Sequence, residues 1–496
     1  MMLEIMNRQQ MIKENLLEVY SQKNYTIETP FFSLDPYKVC PLSGLIMFFL
    51  EQPATLEIDV YGQIRVYELE EGHHEVPVLG LMPNRDNEVV LRMTYKDGTR
   101  SKSILYVKTA PLSDSYPEIE VRMIKKSQME EGLFSLSLGR AEGVKTIEAL
   151  YSIVDEAGEV RWLYTGMTAH VFRKLKNGNL IVDAPVSSGI CGAYTSAGFI
   201  EMDFLGHIKA FYKLPNGLHH DVYELPNGNF LAITQGNQTK QDLLVEIERQ
   251  SRNIIKEWNF REILDQNRQT VIDKVSVNHP LDWLHLNAIV YDESDHSIVA
   301  TSRNQSCMIK FDKDTSRLHW IIAPKEGWND QLMPYVLEPL DKESIGWAPH
   351  TPVIGKDGTM LMFDNGNFRS YDIDTARHAY ENFSRGIEYR INLQAGSFEK
   401  VWSYGEERGN SLYCPYLGSI SLLENNNRLM CFGGITKDIF GGPTDDMKSN
   451  RMKNEVVIVE TTGDMPAEVV FEMAMKDRDI TKPLGYKCYR CEKITF

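Results

Sequence analysis

A chain of 496 residues has room for more than one domain, and 42% hydrophobic with 25% charged residues is an ordinary globular composition. Its 53 basic and 69 acidic side chains leave a net charge of −16, which speaks against a nucleic-acid surface and suits small-molecule chemistry. No apolar run reaches the roughly 18 residues of a membrane-spanning helix, so no membrane partner is expected.

Residues 1–24 come first. Leu3, Met6, Met11, Ile12, Leu16, Leu17, Val19 and Tyr20 recur among polar residues with the period of an amphipathic helix. Its role is read as docking or dimerisation, with a homodimer as the expected assembly. The stretch Met1 to Lys23 lacks the basic, apolar and small-residue segments of a signal peptide, so a cytoplasmic location is expected.

Over residues 25–115 short alternating segments replace the helical period. Gly44–Leu50, Ala54–Tyr61, Gln63–Tyr67, Val89–Tyr95 and Ser103–Val107 are separated by turn residues such as Lys96-Asp-Gly. Such strands predict a small β-sandwich, with His73 and His74 expected in an exposed loop.

Residues 116–496 carry two repeating phrases. An apolar strand, a polar turn and an aromatic-bearing strand recur in six copies: 150–162, 200–211, 245–258, 309–320, 389–402 and 457–471. In a second phrase a histidine stands eight residues before a turn glycine: His170 to Gly178, His220 to Gly228 and His350 to Gly358. His285 opens a similar phrase with a longer turn, and Gly418 or Ser419 takes the equivalent place in a fifth. Repeats of this length without helical periods predict an all-β chain ending in a six-bladed β-propeller. The histidine would open the innermost strand of its blade, so His170, His220, His285 and His350 converge on one mouth.

Asn287, two residues after His285, is expected on the same strand face. Arg303 ends the partner strand, and its planar fork suits the oxygens of a sulfate or phosphate. Imidazoles with one arginine, and no carboxylate evident among them, describe an oxyanion site. A histidine-held metal is the direct competitor, since neutral imidazole is the commonest metal ligand, although a neighbouring arginine would repel a dication. Seven scattered cysteines read as reduced thiols, and Cys488-Tyr-Arg-Cys491, lacking a second pair, cannot form a four-ligand zinc site.

The strings His219-His220-Asp-Val-Tyr-Glu-Leu-Pro-Asn-Gly-Asn, Asp282-Trp-Leu-His285-Leu-Asn287, Ser302-Arg303-Asn-Gln-Ser and His350-Thr-Pro-Val, with Phe363-Asp-Asn-Gly-Asn367, resemble those of the bacterial aryl-sulfate sulfotransferases. The resemblance covers nearly the whole chain, including the order of sandwich and propeller. It implies transfer of a sulfuryl group from an aryl sulfate donor to a phenol acceptor, without PAPS or any cofactor, by a ping-pong route through a sulfohistidine. It also implies His350 as nucleophile, with His285, Asn287 and Arg303 on the sulfuryl oxygens and His220 as a further active-site histidine; His170 and Ser419 are substrate-binding candidates by register.

The chain departs from periplasmic members of that family, which carry a signal peptide and a disulfide near the site; here only Cys307 lies between Arg303 and His350. Tyr194, Trp283, Trp347 and Tyr416 are candidates for stacking on a phenol. The alternatives are a propeller hydrolase of aryl esters or sulfates with a histidine-bound metal, and a non-enzymatic binding scaffold. Sulfatase Cys-x-Pro/Ala-x-Arg, phosphate-loop and sialidase-box motifs are absent from the sequence.

Overall fold

The computed structural model describes all residues except 167–169, 187–195, 237–238, 241, 273–281, 447–450 and 479–483. Tyr194 and Cys191 therefore lie outside the described residues. The helix spans Met2–Ser21. Tyr20 and Met2 are buried in a cluster with Leu45 and Met47 of the sandwich and Phe204, Leu205 and Ile208 of the propeller. Gln9 fastens it: its Nε2 donates to Gly206 O at 2.8 Å, and its Oε1 accepts the Ile208 amide at 2.8 Å. The helix thus docks within its own chain, bridging the two domains.

The sandwich packs a three-stranded sheet (Phe31–Leu34, Gly44–Leu50, Gly72–Val78) on a four-stranded one (Gln63–Leu69, Ala54–Val60, Asp86–Tyr95, Arg100–Lys108). Alternate residues along Ala54–Val60 are buried, as period-two strands with one solvated face require. Ile46, Phe48, Leu56, Ile58, Val76 and Leu91 share the core between the sheets. The loop expected around His73 and His74 is instead the strand Gly72–Val78, where the two pair with Phe49 and Phe48. The aromatic neighbours across the ladder give these histidines a packing partner, and His73 Nδ1 meets the Tyr20 hydroxyl at 2.8 Å.

Beyond the sandwich the described residues form six sheets of four or five strands. Blade 1 contains Phe172–Lys174, Leu180–Asp183, Ser196–Met202 and Ile208–Leu218. Blade 2 contains Val222–Glu224, Phe230–Thr234, Leu243–Ile247 and Ile254–Asn259. Blade 3 runs from Leu286–Asp292 to Leu318–Ile322, blade 4 from His350–Ile354 to Ser397–Tyr404, and blade 5 from Ser419–Leu422 to Val469–Lys476. In each, the histidine phrase, or its Gly418-Ser419 counterpart, makes the inner hairpin and the aromatic phrase the outer one. The inner turns of three blades need glycine, because Gly178, Gly228 and Gly358 have φ of 86°, 84° and 74°.

Blade 6 is assembled from both ends of the domain. Leu133–Glu142, Tyr151–Val154 and Val160–Tyr164 receive their innermost strand from Leu484–Ile494, near the C-terminus. The strand Glu118–Ile124 meanwhile adds to the outer edge of blade 5. Each crossing ties distant chain segments together, which removes the exposed edges an open array would present.

Candidate active site

Four blades bring imidazoles to the axis. His170 and His220 stack with ring centroids 5.0 Å apart, and His220 lies 4.9 Å from His285. His219, the neighbour of His220, joins them: its ring is 6.0 Å from His285, and its Nδ1 meets the Nδ1 of His220, so one must donate and the other accept. At the hub stands Tyr489, with His170, His220 and His350 at 5.4, 5.6 and 6.1 Å from its ring. Its hydroxyl donates to Asn287 O. A bulge directs it there, since the register slips by one residue between Cys488 and Cys491 opposite Leu138 and Leu136.

The environment of His350 fixes its tautomer. Asn365 Nδ2 points at two carbonyls, Cys414 O at 2.6 Å and Leu417 O at 2.7 Å, so that end must be the amino group. Asn365 Oδ1 then faces His350 Nδ1 at 2.6 Å and accepts its proton. The lone pair of His350 is left on Nε2. His285 is oriented differently: its Nδ1 lies 2.9 Å from Asp282 Oδ2. Burial alone would raise the Asp282 carboxyl, but His285, Arg303 and Lys240 overcome it and hold it below the usual carboxylate range.

His170, His219, His220 and His350 are buried, and these four imidazoles are poor bases for protons as a result. Burial pushes His350 down to about 3; the bond to Asn365 opposes this, while His285 and Arg303 add to it. His170 falls to about 3 through burial, then Lys487, His285 and His350. His219 and His220 are likewise driven well below the ordinary histidine value, first by burial, then His219 by His170, His285 and Lys240 and His220 by His219, His285, His170 and His350. Arg303 supplies a permanent cation nearby: its amide bonds His285 O at 3.1 Å and its Nη1 donates to Asn304 Oδ1 at 3.0 Å.

Several expectations need revision. A carboxylate does belong to the cluster, Asp282, placed by a local turn three residues before His285. Asn287 is not on the His285 face by simple alternation, because His285 has φ of 52° and a bulge separates Leu286 from Ala288. Its amide donates to Pro349 O at 2.8 Å and accepts the Thr301 hydroxyl at 2.7 Å, so it braces blade 3 against the approach to His350. Ser419 opens the fifth inner strand as its register implied, but its hydroxyl accepts the Cys491 amide at 3.2 Å. Trp283 is core, its indole donating to Asp242 at 3.3 Å. Trp347 and Tyr416 are half-buried, Tyr416 donating to Asn454 Oδ1 at 2.6 Å. His219, Asn365, Asp282 and Tyr489 went unnamed as site residues, although His219 and Asp282 stand within the very strings quoted.

Asp221, beside His220, points away from the ring. It takes Arg490 at 3.0 Å, Arg173 at 3.6 Å and the Ile289 amide at 3.2 Å, pinning together the inner strands of blades 1, 2, 3 and 6. The histidines thus stand on a rigid floor.

A closed ring of sheets behind a sandwich domain, with convergent imidazoles and an arginine at the axis, defines the class: a histidine-lined β-propeller. The chain belongs to the arylsulfotransferase family, whose model matches residues 118–487, and a model of the arylsulfotransferase Ig-like domain matches residues 31–110. It is 27% identical over 377 residues to arylsulfate sulfotransferase AssT of Escherichia coli, covering 62% of each chain. With the AssT of Lelliottia amnigena it shares 24% identity over 546 aligned positions, covering 86% of this chain and 89% of that one. The chain therefore spans under two thirds of the first relative and most of the second. A solved auxiliary nutrient binding protein from Bacteroides ovatus is matched at 9% identity and a TM-score of 0.35, over 84% of this chain and 94% of that one.

Proposed function

We propose that this protein moves a sulfuryl group from an aryl sulfate to a phenol in two steps, with His350 as the covalent carrier. The observation that carries the reading is His350, a neutral, buried imidazole whose Nδ1 proton is accepted by Asn365, which leaves the lone pair on Nε2, and whose ring feels the charges of His285 and Arg303. Nε2 attacks the sulfur, the S–O bond to the aryl group breaks, and its electron pair leaves on the phenolate. Transfer of this kind passes through a loose transition state, so positioning and charge stabilisation dominate. Arg303 offers fixed N–H donors to the sulfuryl oxygens. The entering phenol then reverses the step and restores free His350.

The leaving phenolate needs a proton and the entering phenol must lose one. The buried His219 and His220 are neutral at ordinary pH, which makes them weak acids for this task. His285 is better placed, because Asp282 Oδ2 holds its Nδ1 and leaves Nε2 to exchange the proton. The metal reading is less well supported: among the described residues no group of three or more His, Cys, Asp or Glu is arranged to hold an ion. The six described cysteines are buried free thiols, which suits the reducing, cytoplasmic setting of the same reading. Its homodimer would have to form on surfaces other than the docked face of the helix.

Incubation with nitrophenyl sulfate, with and without added phenol, tests the proposal. Nitrophenol release that depends on phenol, with sulfated phenol as product and rapidly quenched peptides sulfonated on His350, is the expected result. Free sulfate released at the same rate without acceptor makes the protein a hydrolase. Label on another residue, or full turnover by His350→Ala, overturns the nucleophile.

A further inference from the structure

Lys487 lies two residues before Tyr489 on the closing strand, opposite Gly139, and is buried. Its ammonium donates to Val144 O. Burial is what lowers its pKa, and among the described residues no carboxylate is a resolved partner of its charge. It packs against His170 and Tyr489 in a crevice lined also by Ser137, Thr146 and Tyr151 and too narrow to admit a water molecule. The Asp183 carboxylate accepts from the amides of His170 and Val171 at 2.8 and 2.7 Å and from the Tyr151 hydroxyl at 3.3 Å. An uncompensated ammonium in such surroundings is costly, and apolar residues of the same volume would fill the space more cheaply. Its position directly behind the ring points to a use for the charge.

We propose that Lys487 is a positioning residue of the transfer site: a cation behind His170 and Tyr489 that holds His170 as a neutral base and draws an anionic ester to the axis. This rests on the sulfuryl-transfer reading. Among the described residues, the titratable groups lining the crevice with the ammonium are His170 from blade 1, Tyr151 from the third strand of blade 6 and Tyr489 from its own strand. After burial, Lys487 is the first cause of the low pKa of His170. Burial also brings Lys487 itself down to about 8, so the cation is present below that pH and is lost above it.

In the wild type kcat/KM for phenyl sulfate should therefore fall as pH rises through about 8. Lys487→Met should raise KM about tenfold or more at pH near 7 with a smaller change in kcat, and should lose that alkaline limb. Lys487→Arg should keep most of the affinity and move the limb beyond the assay range. Independently of turnover, the His170 imidazole, followed by nitrogen-15 NMR of histidine-labelled protein, should titrate at higher pH in Lys487→Met. A wild-type profile without the limb, an unchanged KM and His170 titration in the Met variant, or an Arg variant as impaired as Met, overturns the proposal. If Lys487→Met fails to fold, the wild-type profile and the Arg variant still decide. If the wild type turns over no aryl sulfate, the transfer reading falls, while the His170 titration still judges the lysine.

Discussion

At the scale of single residues, the chemistry turns on which imidazole nitrogen is free and whether it is protonated. With His350 lowered to about 3, its free base persists far below the range of an ordinary histidine. An unperturbed imidazole near 6.5 would lose about 25-fold of its base form between pH 7 and pH 5. The predicted initial rate over that interval shows no such loss from His350, provided circular dichroism reports a folded protein; a limb centred near 6.5 contradicts the buried-base picture. Asn365→Ala tests the tautomer separately. Without Oδ1 to accept the Nδ1 proton, His350 no longer has a fixed free Nε2, and kcat should drop about a hundredfold while KM changes little. The four register histidines and Arg303 were legible because each sits in a contiguous phrase, whereas Asp282, inside one of those phrases, was passed over. Tyr489 and Lys487 were not, since their strand lacks the histidine phrase and reaches the axis only when the two ends of the propeller meet. The dipeptide Tyr489-Arg490 was visible only as the filling of a two-cysteine motif.

At the scale of elements, period-two and helix-period patterns placed the helix, the sandwich strands and the six outer hairpins close to where they fold. Patterns of this kind report which face is buried, and the buried faces here are formed mostly by local alternation. What they do not report is where a strand is irregular. The bulges at Leu286–Ala288 and Cys488–Cys491, which aim Asn287 and Tyr489, leave no mark in hydrophobic spacing. Nor does the helical period say what the helix touches. Its docking can be measured: Gln9→Ala removes two side-chain bonds to backbone groups of blade 1 and leaves the Ile208 amide and Gly206 carbonyl in a buried setting. The expected cost is about 1–3 kcal/mol, read as a lower denaturation midpoint with unchanged kcat. A variant as stable as the wild type would mean the helix is held by its apolar contacts alone.

For the whole molecule, the site exists only if the ring closes, because blade 6 takes its innermost strand from a segment about 350 residues beyond the strand it pairs with. Closure depends on close backbone approach, at Gly485 against Asn454 and at Gly433 against Cys488. Gly433, on the second strand of blade 5, has no side chain, and a Cβ there would stand 1.6 Å from the Cys488 carbonyl oxygen and 3.0 Å from Cys431 Sγ. The obstacle is main chain, which cannot swing aside as a side chain can, so Gly433→Ala must push the closing strand outward. That displacement falls on Cys488 and hence on Tyr489 at the hub. Overpacking of this kind costs about 1–3 kcal/mol and more where backbone must move. The variant is predicted to melt at lower temperature and to lose activity in its folded fraction, because the rings that meet at Tyr489 are no longer held at their wild-type spacing. Stability and turnover are measured on the same preparation. A variant with lowered stability but wild-type kcat would show that the closing strand holds the fold without shaping the site, whereas loss of both ties ring closure to catalysis.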